Sequence, residues 1–239
     1  MTAIFSYPSF SIYKNPTMGA FEIATRDCYR SHGNMKDSSD FTLFGRILKN
    51  GHTAMIEFMD DLAVRLKVSR GVTHELVRQR ICSFAQSSTR YIKYDEVEFI
   101  VPWWVCRNET GPDEDEHIFI EDCVSCSDAY KRRIEKGWSA QKARGCLNAD
   151  VAAFINMKTN IREWVHIFGL RTPKEAHPDM RTIMCGLLFH LKETNPIFSQ
   201  IVKKDLNLIT NLEWFEANYC LDSKENDLGL EEFYVIPRN

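Results

Sequence analysis

The chain has 239 residues, 44% hydrophobic and 26% charged, enough to bury one substantial core. Its 30 basic and 33 acidic residues leave a formal charge of -3, which excludes a global electrostatic pull toward nucleic acid or membrane and makes any anion site a local one. No apolar run reaches membrane-spanning length, and the first residues lack the basic start and apolar stretch of a signal peptide, so a soluble, cytoplasmic protein with reduced thiols is expected.

In chain order, residues 17–30 carry Met18, Phe21, Ile23 and Cys28 at helical spacing, which predicts a first helix ending in the polar stretch 31–40. An apolar segment at 43–48 runs to the turn signal Asn50-Gly51. Leu62, Val64, Leu66 and Val68 then alternate with Ala63, Arg65, Lys67 and Ser69, the period of a strand with one face on a core. Gly71 ends that strand and Thr73 caps a helix. Leu76, Val77, Arg80 and Ile81 continue it into a loop, so His74 and Arg78 share a face one turn apart. A strand at 97–102 is stopped by Pro102, and a long amphipathic helix at 115–136 has Ile118, Val124, Tyr130 and Ile134 near one face. A short helix at 139–147 precedes a strand carrying Val151, Ala153, Ile155 and Met157. Thr159 or Asn160 caps a helix over 161–170, and Pro173 separates it from another over 180–192. There are no repeats or low-complexity tracts. This mixture is of the α/β (mixed α+β) class, read as a single domain over residues 1–239 with the strand order open.

Cys123 and Cys126 form a lone C-x-x-C with neither a second pair nor suitably placed histidines, so no metal is expected and the pair is assigned to a solvated helix face. Neither G-x-G-x-x-G nor G-x-x-x-x-G-K-[ST] occurs, so a nucleotide would have to be held by side chains. Arg78, Arg80, Arg90, Arg144, Arg162 and Arg171 are the candidates, because planar guanidinium forks match phosphates and pyrimidine edges. The densest group is Arg78-Gln79-Arg80, followed after seven residues by Ser88, Thr89, Arg90 and Tyr91. That much fixed positive charge in one segment calls for an anionic partner.

The segment GVTHELVRQRICSFAQSSTRYIKY resembles the signature of the flavin-dependent thymidylate synthases, Arg-His-Arg, seven residues, then Ser. Gly51-His52 with Glu57 five residues after the histidine, Ala143-Arg144, Asn160-Ile161-Arg162, Leu170-Arg171 and the run Ala176 to Arg181 are similar to further motifs of that family. They follow in order over residues 20–195. The resemblance implies helices around a twisted, mainly antiparallel sheet and a homotetramer with sites between subunits. It implies transfer of the methylene of methylenetetrahydrofolate to C5 of dUMP and its reduction with hydride from FAD, itself reduced by NADPH. By the same resemblance Arg78, Gln79, Arg80 and Ile81 lie along the flavin, and Glu57, Asn160, Arg162 and His166 hold FAD. His52 stands at the folate and flavin edge. Glu75, Gln86, Ser88, Thr89, Arg90 and Arg144 bind the nucleotide, and Arg171, with Arg78, faces the pyrimidine ring. An arginine there stabilises charge developing at the uracil carbonyl, so no enzyme nucleophile is needed and Cys82 is a buried hydrophobe.

The sequence departs from the family pattern at four places. Gln79 stands for His, Glu75 for Gln, Ala85-Gln86-Ser87 for Asn-Glu-x, and Thr89 for Gly. Glutamine cannot become a cation beside a reduced flavin, and a carboxylate at position 75 would repel a phosphate unless an arginine separates them. The alternatives are C5-hydroxymethylation, use of UMP or dCMP, and a nucleotide-binding protein without flavin.

Overall fold

The computed structural model describes residues 3–105 and 113–238. Six strands form one antiparallel sheet in the order β4-β6-β3-β2-β8-β7, and two more, β1 and β5, form a separate parallel pair. Their ranges are β1 Ala3–Ser6, β2 Ser9–Lys14, β3 Leu62–Ser69, β4 Ser83–Gln86, β5 Val97–Ile100, β6 Ala152–Thr159, β7 Tyr219–Glu225 and β8 Glu231–Pro237. The antiparallel sheet ringed by helices is the architecture the resemblance implies.

The centre of the sheet is β3 against β6, in unbroken register from Leu62 opposite Thr159 to Ser69 opposite Ala152. Leu62, Val64, Leu66 and Val68 on one strand and Val151, Ala153, Ile155 and Met157 on and beside the other are buried, as their alternation predicts. Helices α6 (Ile161–Arg171), α7 (Pro178–Thr194), α8 (Pro196–Val202) and α9 (Leu206–Asn218) pack on this face. Trp164, Phe168, Phe198 and Phe215 are buried in that core. α1 (Phe21–Tyr29) and α2 (Ser39–Asn50) close it from the amino-terminal side, and α2 ends at Gly51, whose φ of 71° is the left-handed turn that Asn50-Gly51 signals.

A second apolar cluster lies under α4 (Glu114–Glu135), where Phe119, Cys123, Tyr130, Ala143 and Val151 meet Val97 and Phe99 of β5. Asp113 caps α4 in a capping box with Glu116. The structure corrects three expectations for these helices. Cys123 is buried in this cluster and not on a solvated face, because α4 turns Phe119, Cys123, Ser127 and Tyr130 inward. Ile118 faces outward, 53% exposed. In α1 the inward residues are Phe21, Thr25 and Arg26, while Ile23 and Cys28 are exposed, so the predicted apolar face is rotated. The seven described cysteines are free thiols, Cys106 lying outside the described residues.

The arginine segment is also placed differently. α3 (Arg70–Leu76) starts directly after β3, capped by Ser69, whose Oγ accepts from the Val72 amide at 3.3 Å. Thr73 lies inside the helix with its hydroxyl donating to the Arg70 carbonyl. The helix ends at Leu76, so Arg78, Gln79 and Arg80 occupy the turn beyond it and His74 and Arg78 do not share a helical face. The following residues re-enter the sheet as β4 against β6, where the sequence predicts a loop.

Candidate active site

Three clusters of side chains gather the residues that the sequence singled out. The first joins α3 to the loop after β4. Gln86, at the end of β4, donates from Nε2 to the Thr73 hydroxyl at 2.8 Å. Ser87 is fixed to β6 by its Oγ, which accepts from the Phe154 amide at 3.2 Å. The chain then turns so that the Ser88 Oγ accepts from the Arg90 amide at 3.3 Å. Thr89 is buried, and its hydroxyl accepts from Arg144 Nη1 at 3.2 Å, bringing a guanidinium from the turn after α5 (Ala140–Ala143) to the loop. Arg90 is exposed and donates from Nε to Gln141 at 3.2 Å. Ser88, Thr89, Arg90 and Arg144 therefore converge although 55 positions separate Thr89 from Arg144.

The second cluster joins the turn after α3 to the carboxyl end of α6. Arg171 Nη1 lies 3.4 Å from Glu75 Oε2, and its Nη2 donates to the Glu75 carbonyl at 3.4 Å. Gln79 is 8% exposed, with its side chain turned inward to the same guanidinium. With its oxygen facing Arg171, it accepts from Nε and Nη2 at 3.2 Å each; the reverse orientation would set donor against donor. Glu75 is thus paired with an arginine. Arg78, Arg80 and Ile81 on either side of Gln79 are exposed, Ile81 by 65%.

The third cluster lies along the outer face of α6 and the turn at Thr53–Phe58. Arg162 Nη1 is 2.6 Å from Glu57 Oε1, and Arg162, His166 and Leu170 follow at i, i+4 and i+8 as an exposed stripe. Asn160 Oδ1 accepts from the Glu163 amide at 2.9 Å and so caps α6. His52 is exposed, and its Nδ1 lies 3.0 Å from the Tyr29 hydroxyl. A cavity of about 620 Å³ lined by Arg26, Lys36, Ser39 and Arg46 is a separate feature that holds none of the expected residues.

Burial pushes the Cys82 thiol up to about 11, with the Thr159 contact opposing it, which leaves little thiolate at neutral pH. Three neighbours were not found by motif reading. Tyr29 positions His52 and Gln141 holds Arg90, and neither carries a local signal. Arg70 carries a signal that was not used, a cation between a buried strand and the helix that follows it. Its Nη1 is buried with no hydrogen-bond partner among the described residues, and it lies near the Tyr94 phenol, where its charge opposes the upward effect of burial.

The profile of the thymidylate synthase complementing protein family matches residues 13–197. The flavin-dependent thymidylate synthase of Geobacter sulfurreducens is 31% identical over 185 residues, covering 74% of this chain and 78% of that protein. The enzyme of the same name from Corynebacterium aurimucosum is 30% identical over 191 residues, covering 74% and 76%. Among solved structures, the UMP/dUMP methylase of Streptomyces cacaoi bound with 5-Br dUMP superposes with a TM-score of 0.67 at 17% identity, covering 84% of this chain and 96% of that one, a likeness of fold.

Proposed function

The chain belongs to the flavin-dependent thymidylate synthase family, and from that premise we propose that its three clusters form one nucleotide and flavin site, completed by self-association into a tetramer. The reaction is the reductive methylation of dUMP at C5 to dTMP, with methylenetetrahydrofolate as carbon donor and NADPH as reductant. FAD, when bound, supplies the hydride that turns the transferred methylene into methyl.

The donor set fits that cofactor. Arg80 and Arg162 offer exposed guanidiniums for a pyrophosphate, and Ile81 and Leu170, 65% and 50% exposed, offer apolar surface for a flat ring. Glu57 orients Arg162, Asn160 sets the start of the α6 stripe, and His166 continues it. His52, steadied by Tyr29, takes the folate edge. The openness of this face supports closure by a second copy of the chain, which we take to be one domain.

The nucleotide phosphate falls to Ser88, Arg90 and Arg144, with Thr89 steadying Arg144 and Gln86 tying the loop to α3. The orphan donor of Arg70 is a further claimant for a phosphate oxygen, since a buried N–H without a partner costs about 1–3 kcal/mol until one is supplied. Arg171 faces the pyrimidine, with Arg78 beside it. Held by Glu75 and Gln79, its remaining N–H stabilises the negative charge that develops on the uracil carbonyl as C5 becomes nucleophilic. No protein nucleophile is required, and the raised thiol of Cys82 agrees.

The observation that carries this reading is the meeting of Glu75 and Gln79 with Arg171, 96 positions from Glu75, at the end of the same helix α3 that Gln86 ties to the Ser88 loop. The test is colour. Purified protein is expected to absorb near the flavin maxima and to release FAD on denaturation. A colourless protein that takes up no added FAD contradicts the assignment.

A further inference from the structure

We propose that Gln79 is a positioning residue for Arg171, acting on recognition of the pyrimidine ring and not on the flavin; this rests on the reading that Arg171 faces the base. A carboxamide oxygen has two lone pairs, and here both are spent on the adjacent Nε–H and Nη2–H of one guanidinium, at 3.2 Å each. That grip fixes the plane of the fork, because two bonds from one edge remove rotation about the terminal torsion. Glu75 holds the other side through Oε2 on Nη1 and its carbonyl on Nη2. Arg171 is therefore clamped between a charged and a neutral partner, and an N–H of Nη1 is left to point elsewhere.

The neutral partner matters. Gln79 is 8% exposed, so a second carboxylate at this point would over-neutralise Arg171, whereas a glutamine orients it and leaves its charge available. An imidazole, the family's residue at this position by the motif comparison, presents one acceptor nitrogen when neutral and none when protonated, so it cannot make the two-bond grip. The departure at position 79 thus belongs with Glu75, which also departs from the family pattern and lies on the same guanidinium.

The test is binding of dUMP to the flavin-loaded protein by titration calorimetry, for wild type, Gln79→Leu, Arg171→Ala and the double variant. Gln79→Leu is expected to weaken dUMP by about tenfold or more, and the double variant to bind no worse than Arg171→Ala alone. Deoxyribose 5-phosphate, which lacks the base, is expected to bind wild type and Gln79→Leu alike. Gln79→Glu, which keeps both acceptors but sets a second carboxylate on Arg171 beside Glu75, is expected to bind dUMP more weakly than wild type. Should Gln79→Leu fail to fold, Gln79→Asn, which withdraws the same amide by one methylene, is expected to show the same loss. Unchanged dUMP affinity in the folded variants overturns the proposal, as does a double variant whose loss is the product of the two single losses. Wild type that binds no dUMP would instead refute the functional reading.

Discussion

At the scale of single residues, side chains that look reactive are separated from those that hold charge. Cys82 sits two residues after the motif, where a nucleophile would be tempting, but a thiol pushed up to about 11 is protonated at neutral pH. Cys82→Ala is expected to keep at least half of wild-type turnover, and a substrate adduct trapped on this sulfur would overturn that. Arg171→Ala is expected to lower kcat by two orders of magnitude or more, on the order of what loss of one oxyanion-type donor costs. Arg90→Ala is expected to raise KM with kcat nearly kept, since a phosphate contact is made equally in ground and transition states. Steady-state kinetics separates the two, and a collapse of kcat in Arg90→Ala would mean that this side chain is not on the phosphate.

At the scale of elements, the packing of α7 carries the sharpest expectation. Gly186 lies in the middle of that helix, and a Cβ there would come within 2.9 Å of Val235 Cγ2 and 3.3 Å of Phe215 Cζ. Alanine would gain about 1 kcal/mol of helix propensity, but Val235 is β-branched and itself buried, so it has little room to yield. Gly186→Ala is therefore expected to destabilise by about 1–3 kcal/mol in a denaturant titration. An unchanged or raised midpoint would show that α7 and β8 can separate slightly at no cost. The same scale explains what the sequence could and could not reveal. The alternation of β3 and β6 was plain because both strands bury one apolar face in full. The start of α3 was displaced because Ser69 closes β3 and caps α3 at once, while Thr73 looked like the better cap from spacing alone. The strand β2 gave no signal, since its buried positions include Ser9 and Ser11. β7 and β8 are rich in charged residues and are recognised only by pairing with each other.

For the whole molecule, the strand order could not be read from local pattern, because β2 joins β3 on one side to β8, more than two hundred residues away, on the other. The site was legible to a different degree. Its arginines and Ser88 were visible as a dense cationic motif, but their grouping into three clusters depends on contacts such as Arg171 with Gln79 and Arg144 with Thr89 that no spacing rule contains. The carboxy-terminal strands also set the response to pH. His190 packs 4.1 Å from the Phe233 ring and beside Phe10, and burial lowers its pKa, Glu231 opposing. The native protein therefore holds this ring neutral, and its contribution is full above the unfolded value near 6.5. It is lost as pH falls from there toward the depressed native value, because only the unfolded chain takes up the proton. Between pH 7.5 and 5.5 wild type is expected to lose more thermal stability than His190→Gln, and equal losses would show that other groups dominate the acid limb.

The central claim is that this chain makes dTMP by flavin-dependent reductive methylation. The most direct measurement is mass spectrometry of the nucleotide product after incubating purified protein with dUMP, methylenetetrahydrofolate, NADPH and FAD, each omitted in turn. Methylated product, heavier than dUMP by about one CH₂, that disappears when dUMP, methylenetetrahydrofolate or NADPH is left out, or when bound FAD is first stripped and none is added back, is the expected result. A hydroxymethylated product, or no product from a protein that binds both FAD and dUMP, would contradict the account.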